Sequence, residues 1–180
     1  MDDPKEIEKR KAEIHREHQI LHRDPEQYIA LMNEKLARAP DDSHAYFSRH
    51  YGWLRLNRLD LAYDDLSKAI ELADRRIVGA IQVPLSCRGQ LFMKMGMYHD
   101  AAKDFAEGEA IDPLEWRGFW GPLYQAHCYW LMGDEAAALA ACERLADDHW
   151  SPGLHGTPRG DKAQVTEEIR RRFAAKKSGG

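Results

Sequence analysis

The feature that most restricts the fold is a stretch of sequence that returns on itself. The series Trp53, Asn57, Leu59, Ala62, Leu66, Ala69 reappears 39 positions later as Phe92, Gly96, Tyr98, Ala101, Phe105, Gly108. Large residues fall on large ones and small on small. Small residues at Ala62 and Ala69 let the two helices of a hairpin approach closely, while Trp53, Leu59 and Leu66 fill the space between them. A recurring unit of this size points to a repeat architecture.

Punctuation along the chain divides it into segments of helical length. Asp3-Pro4 and Asp24-Pro25 read as helix starts, because Asp accepts from orphan amides and Pro at the first helical position loses no needed donor. They open a helix over about Lys5 to His22, with Ile7, Ile14 and Leu21 as a narrow apolar stripe, and one over about Glu26 to Ala39. Tyr28, Leu31, Met32 and Leu36 lie on one face of the second helix, which stops at Pro40. Three further pairs follow, turning at Asn57-Arg58, at Gly96 and at Gly133-Asp134. The expected hairpins span about 5–39, 43–73, 83–112 and 117–148. A turn-rich loop, Ser151 to Pro158, then leads to a closing helix over about 161–175 with Val165, Ile169 and Phe173 on one stripe. Residues 1–175 are expected to form a single domain, and 176–180 a flexible tail.

Charge narrows the possible partners. Charged residues make up 31% of the chain, yet both signs are interspersed and the net charge is −4, so there is no basic footprint for nucleic acid. No apolar run approaches the roughly 20 residues that cross a bilayer, and Met1 to Lys5 lacks the pattern of a secretion signal. The expectation is a cytoplasmic protein without a membrane association. Cys87, Cys128 and Cys142 sit at long spacings in apolar segments, which favours reduced, core-filling thiols.

The recurring pattern resembles the tetratricopeptide repeat, a 34-residue helical hairpin with small residues near its eighth, twentieth and twenty-seventh positions and a Pro near its end. Ala39-Pro40 and Asp112-Pro113 match that end signal, and the pair containing Gly89, Gly96, Tyr98, Ala101, Phe105 and Pro113 matches best. The charged first helix matches poorly. The resemblance implies an all-α, right-handed α-α superhelix of about four hairpins plus a C-terminal capping helix. It also implies a concave groove lined by the first helix of each pair. Carried over, the lining residues are His44, Phe47, Tyr51, Leu54 and Arg55; then Val83, Ser86, Gln90, Met93 and Lys94; then Trp120, Leu123, His127, Trp130 and Leu131. Phe47, Tyr51, Trp120 and Trp130 are the preferred contacts, because aromatic anchors carry much of the energy at interfaces. The family's subset that grips a chaperone's terminal carboxylate uses Lys and Asn where this chain has Phe47 and Tyr51, then Ser86 and Gln90. A partner with apolar anchors fits better, either an extended segment or an amphipathic helix.

Two repeat positions carry an unusual pairing. Arg49 and Arg88 share one position, Asp65 and Asp104 another, and both change together to Gln125 and Ala141 in the last pair. An Arg–Asp ion pair joining the helices of each middle hairpin accounts for this, since a partly buried Arg needs a partner.

Catalytic and metal-binding signals are weak by comparison. His15, His18 and His22 share a helix face, but no nearby Cys or carboxylate completes a motif, so a solvated polar face is the simpler reading. His149, His155 and Asp161 have no accompanying nucleophile or cofactor motif. His127 and Cys128 are sequence neighbours and point apart on a helix. No phosphate-binding loop or paired-Cys zinc pattern is present. The expected role is therefore a non-enzymatic adaptor or scaffold for a protein or peptide, needing no metal or cofactor and acting as a monomer or small homo-oligomer. The alternatives are an inhibitor or immunity protein that blocks a toxin or enzyme, and a metal protein or enzyme built on the helix histidines.

Overall fold

The computed structural model describes residues 3–74, 76–77, 79–111 and 121–178. They form an all-α repeat protein with a single two-stranded ribbon among the described residues. The chain divides into two compact units, Met1–Arg75 and Arg76–Gly180.

The first unit holds α1 (Pro4–Arg23), α2 (Pro25–Arg38), α3 (Ser43–Arg55) and α4 (Leu59–Leu72). Asp3, Asp24 and Asp42 cap the first three, each accepting backbone N–H groups of the opening turn. Tyr28, Met32, Ala62 and Leu66 are buried in its interior. Gly52 permits the closest approach there, since a Cβ at that position would lie 2.5 Å from Ile29 Cγ1. The stripe expected on α1 packs only towards its end: Ile7 is 40% exposed and Ile14 54%, while Leu21 is half-buried. Beside it the buried Glu17 accepts from Lys35 Nζ of α2 at 2.5 Å.

The second unit holds α5 (Gln82–Lys94), α6 (Tyr98–Ile111), α7 (Gly121–Met132), α8 (Glu135–Glu143), β1 (Trp150–Pro152), β2 (Arg159–Asp161) and α9 (Lys162–Ser178). The expected start of α7 near Gly118 and the Asp112-Pro113 end signal lie outside the described residues. Phe105 fills the space over Gly89, where a Cβ would stand 2.8 Å from its ring, and stacks on Tyr124 with centroids 4.9 Å apart. Val165, Ile169 and Phe173 of α9 complete a second core with Leu123, Ala138 and Cys142. Helix α8 stops at Glu143 rather than near Asp147. Tight contacts from Arg144 N to Ala141 O and from Leu145 N to Cys142 O close it, and Leu145 turns into the core. Helix α9 runs past the expected end at Ala175, because Lys176 Nζ donates to the Trp130 carbonyl and Lys177 Nζ to Glu135.

The hairpin turns repeat in atomic detail. Asn57, Gly96 and Gly133 all take positive φ, 56°, 76° and 85°. After each, an amide reaches back to close the helix: Arg58 N to Trp53 O, Met97 N to Phe92 O and Asp134 N to Tyr129 O, at 2.8–2.9 Å. This is the Schellman closure, in which a left-handed residue satisfies the last orphan carbonyls. Between α8 and α9 the chain forms an antiparallel ribbon that the sequence does not announce, with Trp150 opposite Asp161 and Pro152 opposite Arg159.

Candidate protein-binding surfaces

Helical spacing places His44, Phe47 and Tyr51 on one stripe of α3, with Arg55 one turn further. His44, Tyr51 and Arg55 are exposed and Phe47 is half-buried. The Phe47 and Tyr51 rings meet edge to face at 5.5 Å. Behind them lies His50, fully buried, with its ring 3.9 Å from that of Tyr51 and 4.9 Å from that of Phe47. Its Nδ1 contacts the Phe47 carbonyl and its Nε2 has no hydrogen-bond partner among the described residues. Burial holds the His50 imidazole down at about 4, so it is neutral at physiological pH.

The same helix is fastened from its other side. Arg49 donates from Nε and Nη2 to the two carboxylate oxygens of Asp65 at 2.9 and 2.6 Å, and from Nη1 to Asn33 Oδ1 at 2.6 Å. Trp53 Nε1 also donates to Asp65, at 2.9 Å. One guanidinium thus links α2, α3 and α4. In the second unit Arg88 engages Asp104 in the same fork, both contacts at 2.8 Å. In the last hairpin, where Gln125 and Ala141 replace the pair, polar contact persists by another route. Gln125 Nε2 donates to Glu109 at 2.7 Å, and Arg144 reaches both Glu109 and Gln125 at 2.9 and 2.8 Å.

The groove residues of the second unit have mixed surroundings. On α5, Lys94 is exposed, Gln90 and Met93 are half-buried, and Gln90 donates to Ser86 Oγ at 3.4 Å. On α7, His127 is buried and Trp130 half-buried, their rings stacked at 5.3 Å. Two cations of α9 cover the indole, Arg172 at 4.9 Å and Lys176 at 4.7 Å from its centroid. Burial, reinforced by the positive charge of Arg172, pushes His127 down to about 4. Trp120 lies outside the described residues.

His15, His18 and His22 are all exposed, and His15 Nε2 shares a hydrogen bond with Gln19 at 2.9 Å. Among the described residues no three His, Cys, Asp or Glu side chains are grouped to hold a metal, and no helix is long and apolar enough to cross a membrane. Burial raises the Cys128 thiol to about 12, which makes it inert packing.

The arrangement of hairpins, left-handed turns and closing helix defines a tetratricopeptide-like repeat fold. The solved structure of MamA is similar over 86% of this chain and 92% of its own, with a TM-score of 0.61 at 13% identity. The C-terminal part of a TPR repeat-containing protein from Cytophaga hutchinsonii aligns over 92% of this chain and 73% of its own, with a TM-score of 0.46 at 12% identity. No family model matches the sequence, and a search of the curated proteins finds no match.

Proposed function

We propose that the chain is a protein-interaction module that holds a polypeptide against the first helices of its hairpins, with α3 as the principal contact. The observation that carries this reading is the exposed Tyr51, 39% accessible, standing beside Phe47 on a helix locked by Arg49 and backed by the buried His50. An aromatic held in one orientation loses little freedom on binding, which is the property of an interface anchor. Arg55 at one end and His44 at the other give the stripe a polar rim. The partner is a protein or peptide with apolar anchors, bound without a cofactor and in the cytoplasm.

Affinity capture from the native cell tests the reading. Tyr51→Ala with Arg55→Ala removes two exposed side chains and leaves the helix folded, as circular dichroism checks. The double variant loses the captured partner. A folded double variant that retains the partner at wild-type yield rules out the α3 surface.

A further inference from the structure

The β1–β2 ribbon and the opening turns of α9 enclose an open cleft of about 920 Å³ in the second unit. The ribbon wall is pinned at several points. Ser151 Oγ donates to the Pro158 carbonyl at 2.5 Å, Thr157 Oγ1 to the Leu154 carbonyl at 2.6 Å, and Arg172 Nη1 to the Gly156 carbonyl at 2.9 Å. Asp161 and Gln164 bond each other's backbone amides reciprocally at 2.9 and 3.0 Å, which joins the ribbon to the start of α9. With Ser151 and Gly160 turned inward, Trp150 is left 58% exposed on the opposite face. A pinned strand cannot rotate that indole into the core.

The charges around the cleft are unevenly used. Glu168 already accepts from Arg171 and Arg172 at 2.7 and 2.8 Å, and Glu167 lies 3.7 Å from Arg170. Asp161, across the ribbon from Trp150, is spent on the cap of α9. Arg159 is exposed and has no ion-pair partner among the described residues. The pairing of Pro152 with Arg159 sets this guanidinium diagonal to Trp150 on the same face of the ribbon, within reach of one ligand. The cleft therefore presents one exposed indole and one uncommitted cation.

We propose that this cleft docks an extended acidic segment of a protein partner, with an apolar or aromatic side chain against Trp150 and a carboxylate on Arg159. A guanidinium takes a carboxylate through two parallel N–H donors, and an indole supplies broad apolar contact at small entropic cost. Glu167 and Glu168 on the wall are already engaged by Arg170, Arg171 and Arg172, and one uncommitted guanidinium suits a single carboxylate and falls short of the row of cations that a phosphate backbone needs. The site does not depend on the α3 surface and can be tested separately.

The test titrates the full-length, isotope-labelled chain with two end-capped peptides, Asp-Glu-Phe-Asp-Glu and Lys-Lys-Phe-Lys-Lys. It follows the Trp150 indole N–H by NMR and the affinity by calorimetry. The acidic peptide shifts the Trp150 signal saturably at low salt, and added salt weakens it. Trp150→Ala and Arg159→Glu, both at exposed positions and checked for folding, each weaken binding by roughly fivefold or more. The proposal is overturned by the absence of a saturable shift at millimolar acidic peptide, by equal binding of the basic peptide, or by unchanged affinity in both variants.

Discussion

Arg49 and Asp65 face each other across the α3–α4 hairpin in a two-pronged contact, 2.9 and 2.6 Å, with Asp65 almost wholly buried. Asp65 also receives the Trp53 indole N–H, so removing the carboxylate strands a guanidinium and an indole donor together. Asp65→Ala is expected to cost about 3 kcal/mol in urea unfolding. Replacing both partners, as Arg49→Met with Asp65→Leu, should recover most of that loss, because no charge is then left alone. A double variant as unstable as the single one would show that the pair itself, rather than its compensation, stabilises the hairpin.

Gly89 and Phe105 test the close approach of the next hairpin. A methyl at Gly89 meets the Phe105 ring at 2.8 Å, and the ring is fixed by its stack on Tyr124. Gly89→Ala should destabilise by about 1–3 kcal/mol despite the better helix propensity of Ala. Phe105→Leu in the Gly89→Ala background should restore part of the loss. Thermal unfolding of the two variants decides this.

Acid should loosen the protein through its buried imidazoles. His50 takes up a proton near 6.5 when unfolded, but burial holds it at about 4 when folded. Between those values the unfolded chain binds more protons, so stability rises with pH. The contribution is complete above about pH 6.5 and is lost as pH falls towards 4, on the order of 3 kcal/mol in all. His127 acts in the same direction in the second unit. Urea midpoints measured from pH 7.5 to 4.5 should fall across this window, and His50→Gln should flatten the fall for the first unit. Constant midpoints would contradict both buried imidazoles.

The closing helix is part of the core. Phe173, Ile169 and Val165 are buried against α7 and α8, so Phe173→Ala should cost about 3–5 kcal/mol. Increased dye binding and loss of near-ultraviolet dichroism would report the exposed face. Little change in either would show that α9 is only loosely attached.

The sequence reveals the parts of this fold that recur. Helix ends lie where Asp-Pro starts and Gly or Asn turns mark them, because those residues act on the local backbone. Asn57, Gly96 and Gly133 are legible as one turn used three times. The ribbon is hidden since each strand has only three residues, Trp150–Pro152 and Arg159–Asp161, too few to display an alternating pattern. The stripe on α1 is only partly used, because Ile7 and Ile14 stay exposed while Glu17, on the same side of the helix between Ile14 and Leu21, is the residue that meets Lys35 of α2.

The surroundings of the groove residues are harder to read. Sequence position assigns Tyr51 and His127 the same repeat role, yet the first is exposed and the second buried. The difference arises from distant sequence: the loop at Gly156 lies against the His127 ring, and Arg172 and Lys176 of α9 return from some forty residues along the chain to cover Trp130. No local pattern around Trp130 carries that information.

The polar links between helices act as a ruler. Arg49–Asp65, Arg88–Asp104, Arg49–Asn33 and Gln125–Glu109 each join residues separated by 16 positions. A single residue inserted within either helix between two partners turns one of them by about 100° away from the other and removes the contact. Between α2 and α7, the stretch joining α4 to α5 is where added residues change none of these separations. A hairpin could be lengthened there, duplicated or exchanged as a module, while any change of length inside it would be penalised at once.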